Sequence, residues 1–152
     1  MQETNYENLS AEDKKLLDAA EEAMKRAYNP YSNFFVGAAI LTKNGKIITG
    51  ANVENAAYGS TACAEEVAIL RAHAEGEGKN IKKIAVIAKG KDFDTKEVTA
   101  PCGCCRQILN EMAYLSNYDI DIILSTTKKD KIVLTKISEL LPLSFSLKDL
   151  NM

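Results

Sequence analysis

Residues 34–55 read FFVGAAILTKNGKIITGANVEN, and no other stretch restricts the fold as tightly. Two β-rich runs flank Asn44-Gly45, the pair that best tolerates the positive φ angles of a tight hairpin turn. The runs are expected to pair as adjacent antiparallel strands. Upstream, SAED at residues 10–13 reads as a capping box, Ser10 taking a first-turn N–H and Asp13 reaching back. Leu16, Leu17, Ala20, Met24, Ala27 and Tyr28 follow at helical spacing as one apolar stripe. Asn29-Pro30 stops that helix, because the residue before a proline is pushed out of the helical region.

Downstream, a second helix is expected from about Ala62 to Ala74, ended by Gly76 and Gly78. IKKIAVIAKG is a strand whose nearly continuous apolar core implies cover on both faces. A third helix begins at PCGCC and carries RQILNEMAYL; DIDIILS and KIVLTKI are two further strands, followed by the short helical turn SELLP. The order is α-β-β-α-β-α-β-β-α. Strand–helix–strand units imply right-handed parallel crossovers. The STTKKDK link between the last two strands is too short for a crossover helix, so that pair is antiparallel. The pattern defines an α/β fold with a five-stranded mixed sheet. With 152 residues and neither repeat nor linker, residues 1–152 form a single domain. A chain of this length buries roughly 70% of its unfolded surface and needs no disulfide to stay folded.

The composition narrows the partners. A net charge of −2 lacks the basic footprint of a nucleic-acid binder, and KKDK near residue 130 reads as a solvated turn. No apolar run approaches the ~20 residues of a membrane span, and MQETNYENLS is not a signal peptide. A cytoplasmic protein acting on small molecules is expected, in a compartment where clustered cysteines bind metal or do chemistry.

The chain has four cysteines, and three of them fall within residues 102–105. Cys102 and Cys105, at i and i+3 of a helix start, can point at one ion, and Cys63 at the start of the preceding helix would be a third ligand. The positive end of a helix dipole favours thiolate over thiol. Cys104 points away from that face and reads as a small buried apolar residue. Glu65, two residues beyond Cys63, is placed to shuttle protons beside a metal-activated water. A closed structural zinc site would need a fourth protein ligand. The single histidine, His73, lies ten residues from Cys63, ~15 Å along a helix, and is not expected to bind. Three ligands plus water describes a catalytic zinc.

C-x-E followed by P-C-x-x-C is the signature of zinc nucleobase deaminases. Together with NPYSNFFVGAAI, GANVENAAYGSTACAEEVAI, PCGCCRQIL and ELLPLSFSLKDL, it resembles the small, homotetrameric cytidine deaminase family over nearly the full length. The resemblance implies a three-layer α/β/α fold and one Zn²⁺ per subunit, held by Cys63, Cys102 and Cys105. Glu65 would activate water and pass protons to N3 and to the leaving amine, as water adds at C4 and ammonia departs. Asn52 and Glu54 match the pair that holds the ribose 3′-hydroxyl, Phe34 the aromatic residue beside the pyrimidine, and Ala64 a substrate contact. Tyr58 falls in the inter-subunit region, and Phe145 matches a residue that reaches a neighbouring subunit's site. The implied activity is hydrolytic deamination of cytidine and 2′-deoxycytidine in pyrimidine salvage.

Two positions depart from the family. Glu66 replaces an arginine that hydrogen-bonds the thiolates, so it is expected to turn outward to a cation such as Arg106 or Arg71, with a mild effect on activity. Phe35 stands where proline is common and reads as packing. The alternatives are a deaminase of another aminopyrimidine nucleoside such as blasticidin S, one with broader scope for the C4 leaving group, and a zinc-stabilised scaffold without turnover. A polynucleotide deaminase is disfavoured by the acidic charge and the short link between the last strands.

Overall fold

The computed structural model describes residues 1–152. The hairpin at its centre pairs β2 (Phe34–Thr42) with β3 (Ile47–Ala51) in the register Leu41↔Ile47. Its turn differs in detail from the expected one. Only Gly45 takes a positive φ, 88°, in a loop closed by Gly45 N–H donating to Thr42 O and Thr42 N–H to Lys46 O. Asn44 contributes its side chain instead, accepting from Thr42 Oγ1 and donating to Glu77 at 3.2 Å.

Around the hairpin the chain adds β1 (Gln2–Thr4), α1 (Ala11–Met24), α2 (Ala64–Ala74), β4 (Ile81–Gly90) and α3 (Gly103–Ser116). It closes with β5 (Asp121–Ser125), β6 (Ile132–Lys136) and the single turn α4 (Ile137–Leu140). One mixed sheet results, in the order β1-β6-β5-β4-β2-β3. Only β4 and β5 are parallel neighbours; β5 and β6 are antiparallel, as their short link requires. The sheet has six strands where five were expected. The extra edge strand, β1, pairs antiparallel with β6, and the Met1 amine reaches Glu139 at 2.8 Å.

Alternation along the central strands builds two cores. Ala38, Ile40, Ile84, Val86, Ile122 and Leu124 meet Ala68 and Ile69 of α2 and Leu109 of α3 on one face. Ala39, Leu41, Ala85, Ile87 and Ile123 meet Leu16, Leu17, Ala20 and Met24 of α1 on the other. This is the expected three-layer α/β/α arrangement. Ser10 caps α1 by accepting from Asp13 N–H at 3.1 Å, but the Asp13 carboxylate pairs with Lys83 instead of reaching back. The helix also ends earlier than the stripe suggests. Tyr28 leaves it to donate its N–H to Asn52 O at 3.0 Å, and its own carbonyl accepts from Glu54 N–H at 2.8 Å.

The topology brings together residues far apart in sequence. β3 and β4 are both antiparallel to β2 and so run the same way. The helices that follow them, α2 and α3, pack on one face and start at the same end of the sheet. Ligands in open α/β sheets gather outside the carboxyl ends of the strands.

Candidate active site

The residues flanking the two helix starts do the local work. Ala62 pairs with Val53 through two backbone hydrogen bonds of 2.9 and 3.0 Å, which fixes the chain one residue before Cys63. Cys63 and Cys102 then occupy the N-cap positions of α2 and α3. The Arg106 guanidinium donates to Pro101 O at 2.8 Å and to Leu140 O at 3.0 Å, so it clamps the peptide entering α3 onto α4.

Cys63, Cys102 and Cys105 meet here, their sulfurs all within 4.8 Å of one another. A tetrahedral zinc with Zn–S distances of about 2.3 Å separates its sulfurs by about 3.8 Å. Three thiols at two helix N-termini therefore fit that ion with small side-chain adjustments, and these three residues could hold it. The Cys63 thiol is lowered to about 7, chiefly because it accepts a hydrogen bond from Cys105, whose own proton is held more tightly by that bond and by burial. Cys104 is solvent-exposed, not the buried packing residue its spacing suggested. His73 is also exposed, with Nε2 3.0 Å from the Met112 sulfur and no part in the cluster.

Glu65 is only 4% exposed. Burial raises its pKa, against the opposing effect of hydrogen bonds from its own N–H and from the Cys105 thiol. A carboxyl group kept from water beside three sulfurs is suited to carry a proton. Ala64, next to it, is fully buried. Glu66 is half-buried and forms none of the protein's ion pairs. The expected outward pairing with Arg71 or Arg106 does not occur. Arg71 is engaged by Thr49 O and Glu75, and Arg106 by the two carbonyls it clamps.

Asn52 is buried and spends half of its amide on β2. Its Nδ2 donates to Phe34 O and its Oδ1 accepts from Val36 N–H, both at 2.9 Å. One N–H and one lone pair remain for another partner. Glu54 accepts from the N–H groups of Tyr31 and Ser32, at 2.9 and 3.1 Å, and from the Ser32 hydroxyl. The Ser32 hydroxyl bond is the main reason its carboxyl is held below the usual range. Phe34 is half-buried, its ring stacked on Phe93.

Two expected site residues lie on the surface. Tyr58 is 78% exposed and packs edge-on against Tyr31, with ring centroids 6.0 Å apart. Phe145 is 59% exposed. Its carbonyl accepts from Gln107 at 3.0 Å and Asn110 at 3.1 Å, so α3 holds the strap that carries it. A cavity of about 510 Å³ lies between that strap and α3; Asn110 lines it, and none of the expected site residues does. Ser32 and Phe93 had no expected role, and Arg106 was expected only as a partner for Glu66, not as the clamp on the α3 entry. Arg106 and Ser32 act through backbone groups, which leave no pattern; a lone phenylalanine in the charged run KDFDTK was the readable signal.

Three thiols converging from two helix starts, next to a buried carboxyl group in an α/β/α sandwich, define a metal-dependent hydrolase of the nucleobase-deaminase class. Residues 10–116 match the family described as "Cytidine and deoxycytidylate deaminase zinc-binding region". The chain belongs to the cytidine deaminase family. It is 45% identical over 136 residues to a cytidine deaminase of Halalkalibacterium halodurans, covering 90% of this chain and 96% of that one. It is 33% identical over 141 residues to a blasticidin-S deaminase of Bacillus cereus, covering 91% and 96%. Among solved structures, a cytidine deaminase from Burkholderia pseudomallei superposes with a TM-score of 0.77 at 38% identity, covering 90% of this chain and all of that one.

Proposed function

We propose that this chain catalyses the zinc-dependent hydrolytic deamination of cytidine and 2′-deoxycytidine to uridine and 2′-deoxyuridine, releasing ammonia. The observation that carries the reading is the buried Glu65 carboxyl group beside three sulfurs that lie within 4.8 Å of one another. Cys63, Cys102 and Cys105 hold the metal. When bound, zinc acts as a Lewis acid and lowers the pKa of water. Glu65 takes the proton of the attacking water and delivers it to N3 as the C4–O bond forms. It then takes the second proton from the new C4 hydroxyl and gives it to the amine, so that the C4–N bond breaks, the C4 carbonyl forms and ammonia leaves. Its raised pKa suits it to both steps, because a carboxyl group nearer neutrality accepts and returns protons readily.

The remaining residues bind and orient. Phe34 lies against the pyrimidine, with Ala64 lining the same pocket. Asn52 and Glu54 hold the ribose 3′-hydroxyl, Asn52 through the amide hydrogen and lone pair left over from β2. A substrate lacking that hydroxyl leaves buried polar groups unpaired and is disfavoured. The exposed Tyr58 and Phe145 support a homotetramer in which each site is completed by a neighbour and each subunit, one domain over residues 1–152, holds one zinc. No helix is long and apolar enough to cross a membrane, and a cytoplasmic role in pyrimidine salvage suits a nucleoside substrate.

A second reading rests on Glu66. A half-buried carboxylate without a cation stands where the family has arginine, and the chain is related to a blasticidin-S deaminase. That combination favours wider tolerance at C4. Ammonia release from cytidine, 2′-deoxycytidine, cytosine and blasticidin S, side by side, separates the two. Turnover of the two cytidines above the others is expected. Faster release from blasticidin S would replace the first reading with the second, and no release from any of the four would refute both.

A further inference from the structure

The segment joining β4 to the cysteines of α3 folds back before it goes on. Gly90 N–H donates to Phe93 O at 2.9 Å, Lys89 and Asp94 form an antiparallel bridge, and Lys91 N–H donates to Asn33 O at 2.9 Å. This turn lays the Phe93 ring on Phe34, with centroids 6.3 Å apart and planes 24° from parallel. Gly90 admits it, since a Cβ there would overlap the Phe93 ring. Phe93 is nevertheless 60% exposed, in the charged run KDFDTK. Burial alone gives a folding chain little reason to keep a large apolar ring at such a place.

The backbone of Phe34 is already fixed. Its carbonyl accepts from Asn52, and its N–H donates to Ser32 Oγ at 3.0 Å. What those bonds leave free is the ring about its side-chain torsions, and an offset stack restricts that freedom. The same turn is tied through Asn33 to the loop whose Tyr31 and Ser32 hold Glu54.

We propose that Phe93 is a positioning residue for substrate binding: by stacking on Phe34 it holds that ring in the orientation that meets the pyrimidine. The inference rests on the reading of Phe34 as the base contact. Phe93 acts on ground-state and transition-state binding alike, so its loss is felt in KM and not in kcat.

The test is steady-state kinetics on cytidine with Phe93→Ala, Phe93→Tyr, Phe34→Ala and the Phe34→Ala/Phe93→Ala double variant, each with its thermal midpoint. Phe93→Ala should raise KM about three- to tenfold with kcat within about twofold of the parent. Phe93→Tyr should restore KM, and Phe93→Ala should add nothing once Phe34 is alanine. A normal KM for Phe93→Ala, or a full additional effect in the double variant, overturns the proposal while leaving the base contact intact. An unchanged KM for Phe34→Ala overturns the base contact and the proposal together. A fall in kcat that follows the thermal midpoint would show a merely structural ring.

Discussion

Cys102, Cys104 and Cys105 share one helix start and meet three different environments. Cys105 is buried against Cys63 and Glu65, Cys102 is exposed but directed at the same cluster, and Cys104 faces solvent. Thiols that could hold zinc should therefore be separable from the one that does not. Cys102→Ser and Cys105→Ser should each lose most of their zinc on dialysis, because a hydroxyl is a poor replacement for a thiolate ligand. Cys104→Ser should keep the parent's metal content and rate. Metal analysis of the three variants checks this, and zinc loss from Cys104→Ser would contradict the ligand assignment. The spacing of these residues was readable because the 100° step per residue decides which side chains share a face. The surroundings of Cys104 were not readable, since that step says nothing of what the opposite face meets. Glu66 teaches the same lesson. Its charge was plain in the sequence, but the cations expected to answer it are committed to backbone carbonyls.

At the scale of elements, the position of α2 depends on Gly50 in β3. A Cβ at that residue would overlap the backbone of Ala64 and Ala68, atoms that cannot swing aside as a side-chain tip can. Gly50→Ala should lower stability by about 2–3 kcal/mol and, by pushing back the helix that carries Cys63 and Glu65, also reduce kcat/KM. Gly59→Ala, where a Cβ meets nothing within 4 Å, should change stability by less than about 0.5 kcal/mol. Urea unfolding of both variants measures the difference, and equal stabilities would argue against close packing of α2. The hairpin and the two crossover units could be read from alternation and turn residues, and they already place two helix starts at one end of the sheet. The edge strand β1 could not. Gln2, Glu3 and Thr4 are polar without alternation, and they join the sheet through backbone bonds to β6. The end of α1 was hidden for another reason. Ala27 and Tyr28 continue the helical spacing, yet Tyr28 is recruited by backbone pairing with the NVEN segment.

In the whole molecule, the α/β/α sandwich serves as a frame that joins three separate stretches of chain. The β3–α2 junction brings Cys63, Ala64 and Glu65, the β4–α3 segment brings Phe93, Cys102 and Cys105, and the start of β2 brings Phe34, whose carbonyl accepts from Asn52. Each stretch is held by backbone hydrogen bonds and buried alternating side chains, so the residues of the proposed site stand on rigid supports. In the proposed mechanism, such preorganisation is what gives the Glu65 carboxyl group its leverage over the chemical step. The most direct measurement of that claim is ammonia release from cytidine by the zinc-containing protein and by its Glu65→Gln variant, with zinc content determined on the same samples. The variant should retain its zinc and lose activity by about a hundred- to ten-thousandfold, whereas turnover at the parent rate would show that Glu65 does not carry the proton.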